Sequence, residues 1–367
     1  MRSPLTGARL RREGHVLVAG QERWPVIDDI AYLRAGRADL VARALTLLDA
    51  EDVAGATAAL LADRDDWAGG PGPDATALAD LVAARDTVTL REAMRLLSYG
   101  PVADYLTHRW SDPTFLSGLA LADAYWPPER PRVLEVACGP GQFLRAFGPH
   151  AASVTGIDVV WSKLWLARHF VAPAAALICF DAAYPWPLDD TAFDVVFCHD
   201  AFYFLPAKPH VAAEMARVAA AGAVTLVGHA HNADAANLGS GEPLTPAGYA
   251  ALFAPAMLFD DTALTDAWIA GAVPRPGDVA AAAAVSLVHP GRLPGAVSAR
   301  FEGAPTRLNP LYADADVAGR RVRVFPSERY AREYGDLATY PAEIPADTAA
   351  DASLLRRRVF VDLPPRW

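Results

Sequence analysis

Val133–Phe147 reads VLEVACGPGQFLRAF, and this stretch decides the fold. Val133–Ala137 is an apolar run of strand length. Cys138–Gly141 is a turn containing Gly-Pro-Gly, and a helical pattern starts at Gln142. Glycines in such a turn let the backbone approach a ligand closely, and a helix start offers backbone N–H groups. Turns of this kind bind nucleotides at the carboxyl ends of parallel strands. Glu135 lies inside the strand, four residues before Gly139. A carboxylate there is costly unless it meets a cation or a donor.

The same rhythm of strand, turn and helix continues outward. Ser153–Ile157 is the next predicted strand, followed by a helix over Ser162–Phe170. Ala176–Phe180 and Phe193–Cys198 are the third and fourth strands, Lys208–Ala220 is a helix, and Ala223–Gly228 is the fifth strand. Strands alternating with helices indicate an α/β fold, a mostly parallel sheet with helices on both faces. The second strand ends in Gly156-Ile157-Asp158, and the third in Phe180-Asp181-Ala182. An acid at Asp158 can take both hydroxyls of a ribose, and one at Asp181 can accept from an adenine amino group. Glu135, Asp158 and Asp181 around one glycine turn fit an adenosine ligand that carries an ammonium group. The dinucleotide fingerprint requires a further glycine where Leu144 stands, so Leu144 and Glu135 speak against a nicotinamide-dependent oxidoreductase.

Glu135–Phe147, Ile157–Ala167, Asp181–Pro187 and Phe193–Leu205 together resemble the successive motifs of the class I S-adenosylmethionine-dependent methyltransferases. The resemblance covers about Arg132–Gly228. It implies a Rossmann-like, mostly parallel seven-stranded sheet, with S-adenosylmethionine as cofactor. It also implies that Gly139 and Gly141 line the methionine part, Asp158 holds the ribose, and Asp181 and Ala182 border the adenine. His199 then faces the sulfonium and the carboxylate side. The family often has Pro-Gly-Gly before the fifth strand, where this chain has Ala220-Ala221-Gly222. In many of these enzymes a helix ahead of the first strand folds over the cofactor. By that analogy Tyr105 and Arg109, with His108 nearby, would cap its carboxylate; the alternative is a surface helix with a snorkelling arginine.

The N-terminal segment resembles a zinc-ribbon-like module that precedes some methyltransferases. The Cys-Pro-x-Cys turn of that module is here Ser3-Pro4-Leu5-Thr6, and its Tyr-Pro-Val phrase is Trp24-Pro25-Val26. The cysteines are absent, so no metal is expected there. The expected organisation is a small β module over 1–37, with strands at His15–Ala19 and Trp24–Ile27, and a helical region over 38–104. The cofactor-binding core spans 105–300, and a C-terminal elaboration over 301–367 forms part of an acceptor pocket or an interface. Helical spacing runs from Ala38 to about Trp67, and Gly69–Pro73 (GGPGP) is a candidate linker. Thr245–Phe253 reads as a helix, and Ala280–Val288 as either a strand or an Ala-rich helix.

The 367 residues carry 33 Lys+Arg against 43 Asp+Glu, a net charge of -10, which argues against a nucleic-acid partner. The three cysteines, Cys138, Cys179 and Cys198, are too far apart for a CxxC site or a disulfide framework. The N-terminus lacks an apolar run after its charges, and no apolar stretch is long enough for a membrane span, so a cytoplasmic setting is expected.

Methyl transfer from a sulfonium mainly requires alignment and exclusion of water, with a general base only where the acceptor must lose a proton. His199, Tyr203 and His229 are the catalytic candidates. His229 and His231 are two apart and face one way on an extended chain, as metal ligands, as a base or residue touching substrate, or as structural histidines. No third ligand accompanies them in the sequence, and no metal is expected. Trp161 and Trp165 read as core or adenine-edge packing. The expected partner is a small-molecule acceptor, with no nucleic acid and no membrane, and a homo-oligomer or partner protein reached through the N-terminal module. The rival to methyl transfer is a protein that keeps the cofactor for a cyclisation or as a partner-binding pseudoenzyme.

Overall fold

The structure is a computed structural model, described here for residues 1–64, 71–236, 241–303, 306–316 and 318–367. The candidate linker begins at Gly69-Gly70, and the first helical pattern ends at Trp67; these residues lie outside the described ones. The chain divides into two compact units. One comprises Met1–Tyr99, Pro127–Thr225 and Arg366, and the other Gly100–Trp126, Leu226–Pro365 and Trp367.

The first unit opens with an antiparallel meander. Its strands are β1 (Arg11–Glu13), β2 (Val16–Ala19), β3 (Glu22–Ile27) and β4 (Ile30–Tyr32). Asp28 and Asp29 join β3 to β4 with φ of 52° and 59°. A two-residue hairpin turn with both φ values positive matches the right-handed twist of the strands, and Asp tolerates it better than most residues. Four helices follow, Ala38–Asp49, Val53–Leu61, Ala75–Ala84 and Leu90–Leu96. The last three are capped by Asp52, Asp74 and Thr89, whose side chains accept backbone N–H groups of the first turn.

The core strands are β5 (Arg132–Val136), β6 (Ser153–Asp158), β7 (Ala176–Cys179) and β8 (Phe193–His199). Within this unit the strand order is β1-β2-β3-β4-β7-β6-β5-β8. The pairs β4–β7, β7–β6, β6–β5 and β5–β8 are parallel. The N-terminal strands therefore extend the sheet edge, with Ile30, Ala31 and Tyr32 opposite Leu177, Ile178 and Cys179. This makes the sheet wider than the seven strands implied by the resemblance. Burial drives the attachment: Ile27, Ile30, Tyr32 and Leu33 are each 0% exposed. Helices Gln142–Phe147 and Trp161–Leu166 connect β5 to β6 and β6 to β7, and helix Lys208–Val218 follows β8. Trp161 and Trp165 are both fully buried on the second of these.

Strand β9 (Ala219–His231) carries the chain from the first unit into the second. In the second unit, β10 (Met257–Asp260) pairs antiparallel with β11 (Ala284–His289). Ala280–Val288 thus contributes a strand in its β-branched half. Helix Pro113–Tyr125 is buried along its whole length, and helix Pro246–Leu252 starts at the predicted Thr-Pro, with Thr245 as cap. Towards the C-terminus, Tyr312, Tyr330, Tyr334 and Tyr340 pack with Leu311, Ile344 and Val359 into a separate aromatic core. Among the described residues no helix is long and apolar enough to cross a membrane.

Candidate active site

Parallel pairing brings the ends of β5, β6, β7 and β8 side by side in the first unit. After β5 the chain enters left-handed backbone at Ala137, Gly139 and Gly141, with φ of 55°, 54° and 86°. Glycine adopts this conformation without steric cost, which accounts for two of the three positions. The two glycines do different work. A Cβ on Gly141 would stand 3.1 Å from Ala167 Cβ, so Gly141 permits close packing. A Cβ on Gly139 would meet no heavy atom within 4 Å, so that side of the turn faces open space. Gly156 on β6 is a further close approach, because a Cβ there would lie 2.5 Å from Leu144 Cδ1.

Asp158 closes β6 and is 6% exposed. Its Oδ2 accepts the Gly139 amide hydrogen at 2.9 Å, and its Oδ1 accepts that of Val160 at 2.8 Å. Each carboxylate oxygen keeps a second acceptor direction, so the group can still take the two hydroxyls of a ribose. The Phe180 amide donates to the Asp158 carbonyl at 3.1 Å, drawing the end of β7 against the end of β6. Asp181 folds back in an Asx turn, its Oδ1 accepting from the Ala183 amide at 2.9 Å. The Ala182 carbonyl accepts from Trp186 Nε1 at 3.1 Å.

Glu135 is 4% exposed and sits in register with Gly156 on one side and Phe197 on the other. Burial, and then the charges of Glu135 and Asp200, push the Cys198 thiol well up. Burial and the charges of Glu135 and Asp158 do the same to Cys138. Both thiols stay protonated near neutrality, which removes them as nucleophiles.

His199 ends β8 at 7% exposure. Its ring stacks on Phe197, with centroids 5.7 Å apart and planes within 1°. It also meets Phe143 edge-on at 4.9 Å, tying the end of β8 to the helix after the glycine turn. Tyr203 is buried, and its hydroxyl donates to Asp200 Oδ1 at 2.7 Å. Asp200 is itself left-handed at φ 53°. The first unit thus gathers Glu135, Gly139, Gly141, Asp158, Asp181, Ala182, His199 and Tyr203 at the strand ends. An acid beside a glycine turn with open space at Gly139 fits an adenosyl cofactor.

Tyr105, Arg109 and His229 belong to the second unit. The Arg109 guanidinium is buried, bonds to Asp112 and Thr114, and lies 4.9 Å from the Tyr105 ring centroid. Tyr105 stacks on Tyr334 at 6.1 Å. His229 Nδ1 lies 2.6 Å from Asp261 Oδ2, and the His231 ring stands edge-on to His229 at 5.4 Å. Sequence reasoning missed Asp261. It lies 32 residues from His229, and nothing in Phe259-Asp260-Asp261-Thr262 separates a helix cap from a functional carboxylate.

Residues 134–227 match the family model described as a methyltransferase domain. Residues 134–227 therefore carry a methyltransferase domain, and S-adenosylmethionine is the cofactor that such a domain implies. No curated protein matches the chain. Among solved structures, one similar protein is a methyltransferase of Thermotoga maritima described as a possible histamine N-methyltransferase. It is 15% identical with a TM-score of 0.38, over 53% of this chain and 97% of that one. The cyclase SpnF is 26% identical with a TM-score of 0.28, over 31% of this chain and 43% of that one. A Haloferax volcanii complex between the Trm112 methyltransferase activator and a methyltransferase is 20% identical with a TM-score of 0.34, over 42% of this chain and 71% of that one.

Proposed function

We propose that the chain transfers a methyl group from S-adenosylmethionine to a small-molecule acceptor by in-line displacement. The observation that carries this reading is the bond from the Gly139 amide to Asp158, which joins the glycine turn to an acid at the neighbouring strand end. The cofactor supplies a methyl carbon already activated by its sulfonium, so the protein has to align and to exclude water. In this reading Asp158 holds the ribose, Asp181 and Ala182 border the adenine, and Gly139 and Gly141 line the methionine part. Glu135 balances the ammonium, and His199 with Tyr203 walls the reacting end. The net charge of -10 favours a small acceptor over a nucleic acid.

Calorimetry with S-adenosylhomocysteine and with NAD tests the cofactor. Binding of the first is expected; tight NAD binding without it would overturn the assignment. Methyl-labelled cofactor then tests the transfer. Cofactor binding with no label passed to any acceptor would favour a cyclisation or a partner-binding role instead.

A further inference from the structure

Within the first unit, the turn between β3 and β4 reaches the helix that follows β6. That helix, Trp161–Leu166, runs into a π turn over Ala167–Val171. The Ala172 amide there donates to the Ala167 carbonyl, five residues back, at 2.8 Å. Such turns are rare in regular helices and frequent at functional sites. The two ends of this one bracket the glycine turn: a Cβ on Gly141 would stand 3.1 Å from Ala167 Cβ and 3.5 Å from Ala172 Cβ. Both alanines are buried. Contact this close passes a displacement on, because neither glycine nor alanine has a rotamer that could repack. The outer side of the π turn is held by Asp28. Its Oδ2 lies 2.8 Å from His169 Nε2, and its backbone carbonyl accepts from Arg168 Nε at 3.0 Å. Arg168 Nη1 also donates to the Pro173 carbonyl, just past Ala172, and Arg366 Nη2 donates to the His169 carbonyl at 2.8 Å. Arg85 Nη1 stands 3.9 Å from Asp28 Oδ1. Burial alone would raise the Asp28 carboxyl, but the bond and charge of His169 and the charge of Arg85 outweigh it.

We propose that Asp28 and His169 are positioning residues for the cofactor: they hold the π turn, the π turn holds Gly141, and the glycine turn thereby keeps the shape that receives S-adenosylmethionine. This inference rests on the reading that the glycine turn holds the cofactor. It gives the N-terminal β module a part in cofactor binding beyond widening the sheet. The glycine turn is then fixed from two sides, by the bond of the Gly139 amide to Asp158 and by the packing of Gly141 on Ala167 and Ala172. Such coupling is reciprocal, so a ligand that prefers the ordered glycine turn must also steady the π turn.

Amide hydrogen exchange of the full wild-type chain, with and without S-adenosylhomocysteine, tests the coupling without any variant. The ligand is expected to slow exchange at the Gly141 amide, and at the Ala172 amide by about threefold or more. Slowing confined to the glycine turn overturns the inference. Calorimetry of variants tests the two residues. Asp28 has a φ of 52°, so Asp28→Gly removes the carboxylate without straining the backbone, whereas Asp28→Asn keeps an acceptor oxygen for His169. Asp28→Gly and His169→Ala are each expected to weaken S-adenosylhomocysteine binding about fivefold, and the double variant no further, because both break one link. Asp28→Asn should stay within about twofold of wild type. Folded variants that melt earlier but bind as tightly as wild type overturn the inference, since the pair is then structural only; additive losses overturn it as well. Failure of wild type to bind S-adenosylhomocysteine sinks the cofactor reading itself. Wild-type binding that leaves Ala172 exchange unchanged sinks only the role of Asp28 and His169.

Discussion

The carboxylate of Asp158 accepts the amide hydrogen of Gly139 at 2.9 Å, so the end of one core strand holds the turn that leaves its neighbour. The same group is available to a ribose, which couples the shape of the turn to cofactor binding. On the proposed reading Asp158→Ala removes both the bond to the turn and the hold on the ribose. The expected loss in S-adenosylhomocysteine affinity is about 1–3 kcal/mol, from charge-assisted hydrogen bonds that are not replaced. Calorimetry of the purified variant measures it, and an unchanged dissociation constant would remove Asp158 from the site.

His199 combines a packing surface with two ring nitrogens, and one substitution separates them. His199→Phe keeps an aromatic ring against Phe143 and Phe197, so thermal stability should stay near wild type. If the nitrogens face the reacting end of the cofactor, methyl transfer or cofactor affinity should fall by about tenfold or more, in line with the loss of a hydrogen bond to a charged group. A variant as active and as stable as wild type would reduce His199 to a wall residue.

The parallel core was legible because its strands are short apolar runs closed by glycine or aspartate, and buried strands on both faces read that way. The ends of β9 were not. Ala219–Ala221 carry no strand signal of their own, and they extend only because the structure makes them part of β9. Ala280–Val288 was ambiguous for a related reason: its alanines suit a helix, while Val285, Leu287 and Val288 pair with β10. The attachment of β4 to β7 was invisible, since parallel pairing between distant segments leaves no local pattern. Among the candidate site residues, the placement of Asp158 and Asp181 at the ends of neighbouring strands was legible from the sequence. The bonds of Asp261 and Ser286 to His229 were not, because these residues lie 32 and 57 positions along the chain from it and meet it only through folding.

The N-terminal turn is organised around one carboxylate. At Ser3 and Thr6, which the zinc-ribbon resemblance would align with cysteines, two hydroxyls converge on Glu22. Ser3 Oγ donates to Glu22 Oε2, Thr6 Oγ1 donates to Oε1 at 2.6 Å, and Trp24 Nε1 donates to Oε2 at 3.2 Å. Burial alone would raise the Glu22 carboxyl, but the bonds from Ser3, Thr6 and Trp24 outweigh it and hold the group below its usual range. A carboxyl depressed in the folded state binds fewer protons there than in the unfolded chain. Its contribution is therefore complete above the ordinary glutamate value of about 4.3 and is lost as the pH falls through the lower folded value. Glu22→Gln should cost about 0.5–1.5 kcal/mol near neutral pH, allowing for partial solvent screening. Denaturant midpoints of the two proteins should then converge as the pH drops below about 4. A gap that stays constant from neutral to acid pH would mean that the charge of Glu22 does not organise this turn.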